Sequence, residues 1–193
     1  MKCVLLVGSP RINGNSAKVI SLLEKHFLLE RPEDEVVRFD LADLKVMGCN
    51  GCDYCRVHPC CVIDDDANVV IDEILSADCV YLACPIYFSG VPSQFKALLD
   101  RFQPLFWERL QLKESGEDLP PKKPLKIYLL GDSMANDPHG YEPALSIIKS
   151  SFALANYEVK EVKPYIGTNK ELTFQTVGLW ELLSNRGCII TYH

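Results

Sequence analysis

Short apolar runs of strand length alternate with segments of helical period along this chain, and that alternation restricts it to a sheet with helices packed on both faces. The runs are Lys2 to Val7 (KCVLLV), Glu35 to Phe39 (EVVRF), Cys79 to Cys84 (CVYLAC), Lys126 to Leu130 (KIYLL) and Glu158 to Tyr165. The first, third and fourth are continuously apolar, which predicts burial on both faces, as in a parallel sheet. Between the runs, Ile20, Leu23 and Phe27 fall on one face of a first helix starting near Ser16. Val69, Ile74 and Ala77 mark a second helix, Phe95, Leu98 and Leu99 a third, and Leu145, Ile148 and Phe152 a fourth, with a short fifth expected at Gly178 to Leu183. The polar, proline-rich stretch from Lys113 to Pro124 reads as an exposed loop, because the strands on both sides of it are needed for one sheet. Residues 1–193 therefore read as a single α/β domain: a doubly wound five-stranded parallel sheet of order 2-1-3-4-5, with a cysteine-rich loop at 47–63. In that architecture functional residues lie just after strands one, three and four.

Charge narrows the partners. Twenty basic against 26 acidic side chains leave a net charge of −6, with no long Lys/Arg run, which argues against a nucleic-acid groove or an anionic membrane surface. A small ligand is expected instead. The uncharged run from Cys79 to Phe95 is broken by Pro85, Gly90 and Pro92, so it is not expected to cross a bilayer. Cys3 to Val7 is too short for the apolar region of a secretory signal, and the expected location is the cytoplasm. Nine cysteines, five of them between Cys49 and Cys61, suit thiolates kept reduced for metal or redox work better than a disulfide framework.

Directly after strand one stands Gly8-Ser9-Pro10-Arg11-Ile12-Asn13-Gly14-Asn15-Ser16, and then a helix. Backbone N–H groups and the positive end of the helix dipole converge on such a loop, Ser9, Asn15 and Ser16 can donate hydrogen bonds, and Arg11 adds a fixed charge. A terminal phosphate fits. The spacing is neither the nucleoside-triphosphate loop nor the dinucleotide fingerprint. The alternative is that Asn15 or Ser16 merely caps the helix and the glycines merely turn the chain. After strand three, Cys84-Pro85-Ile86-Tyr87-Phe88-Ser89-Gly90 places aromatic side chains and a Pro/Gly-bounded backbone where a flat heteroaromatic ring could pack. Gly131-Asp132-Ser133 follows strand four as a weaker third wall.

These residues resemble the flavodoxin-like NAD(P)H-dependent FMN reductase family, whose phosphate loop reads G-S-P-R-x-x-G-N-[ST]; every fixed position is matched from Gly8 to Ser16. The segment from Pro85 to Arg101 is similar to that family's P-x-Y-x-x-x-x-[PS]-x-x-[LF]-K-x-x-[ILV]-D-R stretch. The resemblance implies a flavodoxin-like three-layer α/β/α sandwich. It also implies that Ser9, Arg11, Asn13, Asn15 and Ser16 hold the phosphate of FMN, that Pro85, Ile86, Tyr87, Phe88, Ser89 and Gly90 line the isoalloxazine, and that Gly131, Asp132 and Ser133 close the crevice. Lys96, Asp100 and Arg101 read as structural, Lys96 and Asp100 being one helical turn apart.

Cys49-x2-Cys52-x2-Cys55 sets three thiols at equal short steps, and Cys60 and Cys61 follow after four and five further residues. One loop can wrap a cluster this way, and a compact run of three cysteines plus a fourth suits a 4Fe-4S cluster better than the paired C-x2-C halves typical of zinc, although zinc or no metal stays open. The run looks like that of the iron-sulfur flavoprotein branch of the same family, C-x2-C-x2-C-x(4 to 7)-C. That resemblance implies Cys49, Cys52, Cys55 and Cys61 as ligands, Cys61 being preferred to Cys60 for its distance to Asp64, Asp65 and Asp66. The three aspartates read as a cap and dipole partner for the second helix. Cys3, Cys79, Cys84 and Cys188 read as small apolar residues.

The expectation is an FMN-dependent oxidoreductase passing electrons between a reduced donor and an acceptor through FMN and a 4Fe-4S cluster, with NAD(P)H as possible co-substrate and no side chain required as nucleophile or acid/base catalyst. Donor and acceptor are expected to be small molecules or redox proteins, and by resemblance the chain forms a homodimer or homotetramer. The alternatives are a cluster-free NAD(P)H-dependent FMN or quinone reductase and a non-catalytic flavin redox sensor or carrier.

Overall fold

The computed structural model describes residues 1–131 and 139–166. Its elements are β1 (Lys2–Val7), α1 (Asn15–Glu30), β2 (Glu35–Asp40), α2 (Asp66–Ser76), β3 (Cys79–Pro85), α3 (Ser93–Asp100), α4 (Gln103–Ser115), β4 (Lys123–Gly131), α5 (Glu142–Leu154) and β5 (Tyr157–Ile166), with 3-10 turns at Leu41–Asp43 and Tyr54–Arg56. The five strands are parallel, as the alternation predicts, and run in the expected order β2-β1-β3-β4-β5.

Burial on both faces follows from the pleat. Val4 and Leu6 of β1, Val80, Leu82 and Cys84 of β3, and Leu125, Ile127 and Leu129 of β4 enter one core with apolar residues of α2, α3, α4 and α5. The alternate residues Leu5 and Val7, Tyr81 and Ala83, and Tyr128 and Leu130 enter a second core with Ile20, Leu23 and Phe27 of α1. Helices thus cover both faces, and successive strands connect by crossovers that leave their C-terminal ends free for loops.

Three features depart from the sequence reading. Val69 is exposed; the buried stripe of α2 is Ala67, Val70 and Ile74, while Ala77 is buried just beyond the helix. Helix α4 was not anticipated, because it buries only Leu105 and so carries no apolar stripe for a helical period to reveal. It runs through Ser115 and ends at Gly116 in the left-handed region, so the segment read as a loop from Lys113 is helical at its start and joins β4 at Lys123. Asp132, Ser133, Cys188 and the fifth helix expected at Gly178 to Leu183 lie outside the described residues.

Candidate functional site

The order β2-β1-β3-β4-β5 places the reversal of winding between β1 and β3, and the loops after these two strands lie side by side. The Gly8 amide donates to the Ala83 carbonyl at 2.8 Å, which extends the β1–β3 ladder into the loop. A Cβ on Gly8 would stand 3.2 Å from the Phe95 ring and 3.3 Å from Cys84, so the turn is packed down on β3 and α3. Ser9 is buried and accepts from the Arg11 amide at 3.1 Å; the Gly14 amide returns to the Arg11 carbonyl at 3.3 Å.

Helix α1 then begins at Asn15 with Gly14 as its N-cap, no capping side chain and no acidic residue in its first turn. The helix-capping alternative for Asn15 and Ser16 therefore fails: both lie inside the helix. A Cβ on Gly14 would meet the Cβ and carbonyl oxygen of Arg11 at 3.2 and 3.3 Å, so the loop folds tightly over an uncapped, electropositive helix end. Ser16 is buried at its base, Asn15 is half-buried, and Arg11 and Asn13 are exposed at its rim.

After β3 the chain makes a tight reversal in which the Tyr87 amide donates to the Gly90 carbonyl at 3.0 Å and the Gly90 amide returns to the Tyr87 carbonyl at 2.9 Å. Phe88 and Ser89, the two residues between, have φ of 51° and 59°. Consecutive left-handed non-glycine residues are costly, and they persist where the surroundings fix them. Here the Ile86 amide is held by the Leu130 carbonyl at 2.9 Å, and the Ser89 carbonyl accepts from the Ala144 amide at the start of α5 at 2.9 Å. The turn buries Ser89 and leaves the Phe88 ring 104% exposed, with Tyr87 at 38%. Cys84 lies beneath, its thiol pushed far up by burial, in keeping with its reading as an apolar residue. Of the third wall only Gly131, at the end of β4, is described.

The cysteine loop leaves β2 at the same sheet edge. Its base is a polar network around Asp65, which caps α2 by accepting from the Ala67 amide at 3.0 Å and also accepts from the Met47 amide at 2.7 Å. Arg101, directly after α3, is 1% exposed and donates to Asp65 at 2.8 Å, to the Met47 carbonyl at 3.1 Å, to the Ile63 carbonyl at 2.7 Å and to Asn68 at 3.1 Å. Burial would raise the Asp65 carboxyl, but the two amides and Arg101 outweigh it and hold the carboxyl below the usual carboxylate range. Of the role expected of the three aspartates, Asp65 is the observed cap of α2 and Asp66 stands in its first turn, and the Lys96–Asp100 ion pair is present. Arg101 is structural as expected, yet its partners lie 33 to 54 residues away, and no local pattern reveals them.

Above this base, Cys49, Cys52, Cys55 and Cys61 line one cavity of about 180 Å³ together with Arg101 and Trp107. Cys60 faces instead the hollow beside it, against Pro59, Asn68 and Asp72, a hollow that Cys61 also borders. Burial pushes the Cys55 thiol up, and the neighbouring Cys61, Cys49 and Cys52 add to the shift. The Gly51 amide approaches the Cys49 sulfur at 3.4 Å. Arg56 lies over the Trp107 ring of α4, 5.3 Å from its centre, which fastens the turn carrying Cys55 to α4, and within the loop Tyr54 stacks on His58 at 3.9 Å. Among the described residues, no three ligand-type side chains stand close enough to share one metal ion. The donor set of four thiols on one cavity fits a thiophilic cluster, and the uncapped helix end fits a phosphate. Sequence reasoning gave Arg101 a structural role without its place beside this cavity, and it did not connect Arg56 or Trp107 with the cysteine loop.

The model of the NADPH-dependent FMN reductase family matches residues 1–115. An iron-sulfur flavoprotein of Methanocaldococcus jannaschii is 35% identical over 105 residues, 54% of this chain and 53% of that protein. One of Methanosarcina thermophila is 34% identical over 104 residues, 52% of each. The chain thus spans about half the length of the curated relatives it matches. Among solved structures, an azoreductase from Bacillus anthracis superposes with a TM-score of 0.66 at 16% identity, covering 95% of this chain and 97% of that one. Flavodoxin 1 from Bacillus cereus gives 0.56 at 13% identity, covering 92% and 90%, so the fold is flavodoxin-like. No helix among the described residues is long and apolar enough to cross a membrane. With more than half of its length matched by the family model, the chain belongs to the NADPH-dependent FMN reductase family.

Proposed function

We propose that this protein is an FMN-dependent oxidoreductase of the iron-sulfur flavoprotein type, passing electrons between a reduced donor and an acceptor through FMN and a 4Fe-4S cluster. The observation that carries the reading is that four thiols line one cavity at the same sheet edge as an uncapped phosphate-type loop. The names of the relatives support it. FMN accepts a hydride as an electron pair and releases electrons singly, and a cluster supplies a one-electron port.

The chain's own part is to bind and orient. Ser9, Arg11, Asn13, Asn15 and Ser16, with the α1 N-terminus, would hold the phosphate. Pro85 to Gly90 and Gly131 would frame the ring, and by extension so would Asp132 and Ser133. Cys49, Cys52, Cys55 and Cys61 would bind the cluster, Cys61 being favoured over Cys60 because it lines the cavity with the other three. Donor and acceptor are small molecules or redox proteins, with NAD(P)H as a candidate donor, and the chain assembles as a homodimer or homotetramer in the cytoplasm.

The family description favours a second reading, a cluster-free NAD(P)H-dependent FMN or quinone reductase. Purification without oxygen separates the two. The first reading expects one FMN with about four iron and four acid-labile sulfide per chain and a broad absorption beneath the flavin bands. Flavin without labile sulfide establishes the second, and an empty phosphate loop in crystals soaked with FMN overturns both.

A further inference from the structure

A fully buried guanidinium costs several kcal/mol in desolvation, so its retention calls for a function that an apolar side chain could not perform. The Arg101 side chain is 0% exposed, and two of its four acceptors are backbone carbonyls from opposite ends of the cysteine loop, Met47 before Cys49 and Ile63 after Cys61. The other two, Asp65 and Asn68, belong to the start of α2. Only a planar fork of donors spans such a set; a lysine ammonium does not. Its remaining donor, Nε, is buried without a protein partner, and Arg101 forms part of the wall of the thiol cavity. A buried cation in the wall of a cavity lined by four thiols suits anionic sulfur contents, since positive charge near sulfur favours the reduced, more negative state of a cluster.

We propose that Arg101 is the positioning residue of the cysteine loop: its guanidinium closes the loop at its base before metal arrives, and its charge raises the reduction potential of the cluster that the loop holds. The second half rests on the function proposed above. The fork and the charge separate experimentally. Arg101→Lys keeps the charge and loses the fork, Arg101→Gln loses both, and Asp65→Asn keeps an N-cap while removing the anion that offsets Arg101.

The test measures two quantities on the full-length protein and these variants: amide hydrogen exchange across residues 48–62 before iron loading, and the cluster midpoint potential after anaerobic reconstitution. Exchange should accelerate about tenfold or more in Arg101→Lys and Arg101→Gln. The potential should fall in Arg101→Gln by about 59 mV, a tenfold change in a one-electron couple, stay near wild type in Arg101→Lys, and rise in Asp65→Asn. A purely structural role would move Arg101→Gln and Asp65→Asn in the same direction or leave both at the wild-type potential, and either result overturns the electrostatic half. Unchanged exchange in both arginine variants overturns the clamp. If Arg101→Gln does not fold, the rise in Asp65→Asn and the exchange of Arg101→Lys decide. Wild-type protein without labile sulfide overturns the cluster reading and the electrostatic half with it, while the exchange measurement still decides the clamp.

Discussion

Replacing Phe88 by glycine should stabilise the flavin-free protein and weaken its hold on FMN, two effects of opposite sign from one side chain. The backbone at Phe88 has φ of 51°, and the ring is 104% exposed, so the substitution removes no buried area. A left-handed conformation costs a non-glycine residue about 1–2 kcal/mol, whereas glycine adopts it freely. Against that relief stands the extra freedom that glycine gives the unfolded chain, roughly 0.4–1 kcal/mol. The balance is a gain of about 0–1.6 kcal/mol, centred on about 0.8 kcal/mol, which for a domain of this size raises Tm by roughly 2–3 °C at the centre of the range. On the proposed function the same ring covers one side of the isoalloxazine, and an aromatic pair contributes about 0.5–1.5 kcal/mol beyond its buried area, or roughly two- to twelvefold in Kd. Thermal unfolding of flavin-free protein followed by circular dichroism gives the first quantity, and quenching of flavin fluorescence on titration gives the second. A lower Tm would refute the strain argument, and an FMN Kd equal to that of wild type would refute the placement of Phe88 on the flavin.

Arg11→Ala should loosen FMN by roughly tenfold, the lower end of a charge-assisted contact at about 1.5 kcal/mol, because Arg11 lies at the exposed rim of its loop; an unchanged Kd would count against the phosphate assignment. Cys52→Ala should abolish iron binding while sparing flavin, and Cys60→Ala, which alters the neighbouring hollow, should retain full iron; the reverse pattern in an iron assay would exchange the ligand roles. Burial lowers His26 below its ordinary 6.5, so the unfolded chain takes up a proton there before the folded one does. Its contribution to stability is complete above pH 6.5 and is lost as pH falls below it, and urea unfolding of His26→Gln should show a flatter pH dependence over that window.

Strands and the tight turns that follow β1 and β3 are legible because each is encoded over a few consecutive residues. The continuously apolar β1, β3 and β4 can only be buried on both faces, and their alternation with amphipathic segments admits the parallel order that is observed. The glycines and small polar residues between β1 and α1 likewise mark a tight turn into a helix N-terminus, the setting in which a backbone can approach an anion. Helix α4 was silent for the opposite reason: with Leu105 alone buried, its sequence carries no period, and its place is set by what packs against it. The left-handed pair Phe88 and Ser89 was equally hidden, since neither residue prefers that conformation and contacts from Leu130 and Ala144 impose it.

The sequence alone determined the strands, their membership of one parallel sheet, the position of the glycine-bounded turn into α1 and the identity of the thiols, because periodicity and short motifs are local properties of the chain. Only the tertiary structure decided that Cys61 rather than Cys60 shares a cavity with the other three thiols, and that Arg101 secures the loop that carries them. Both depend on groups dozens of residues apart meeting in space, and a buried charge draws its meaning from the partners that folding brings to it.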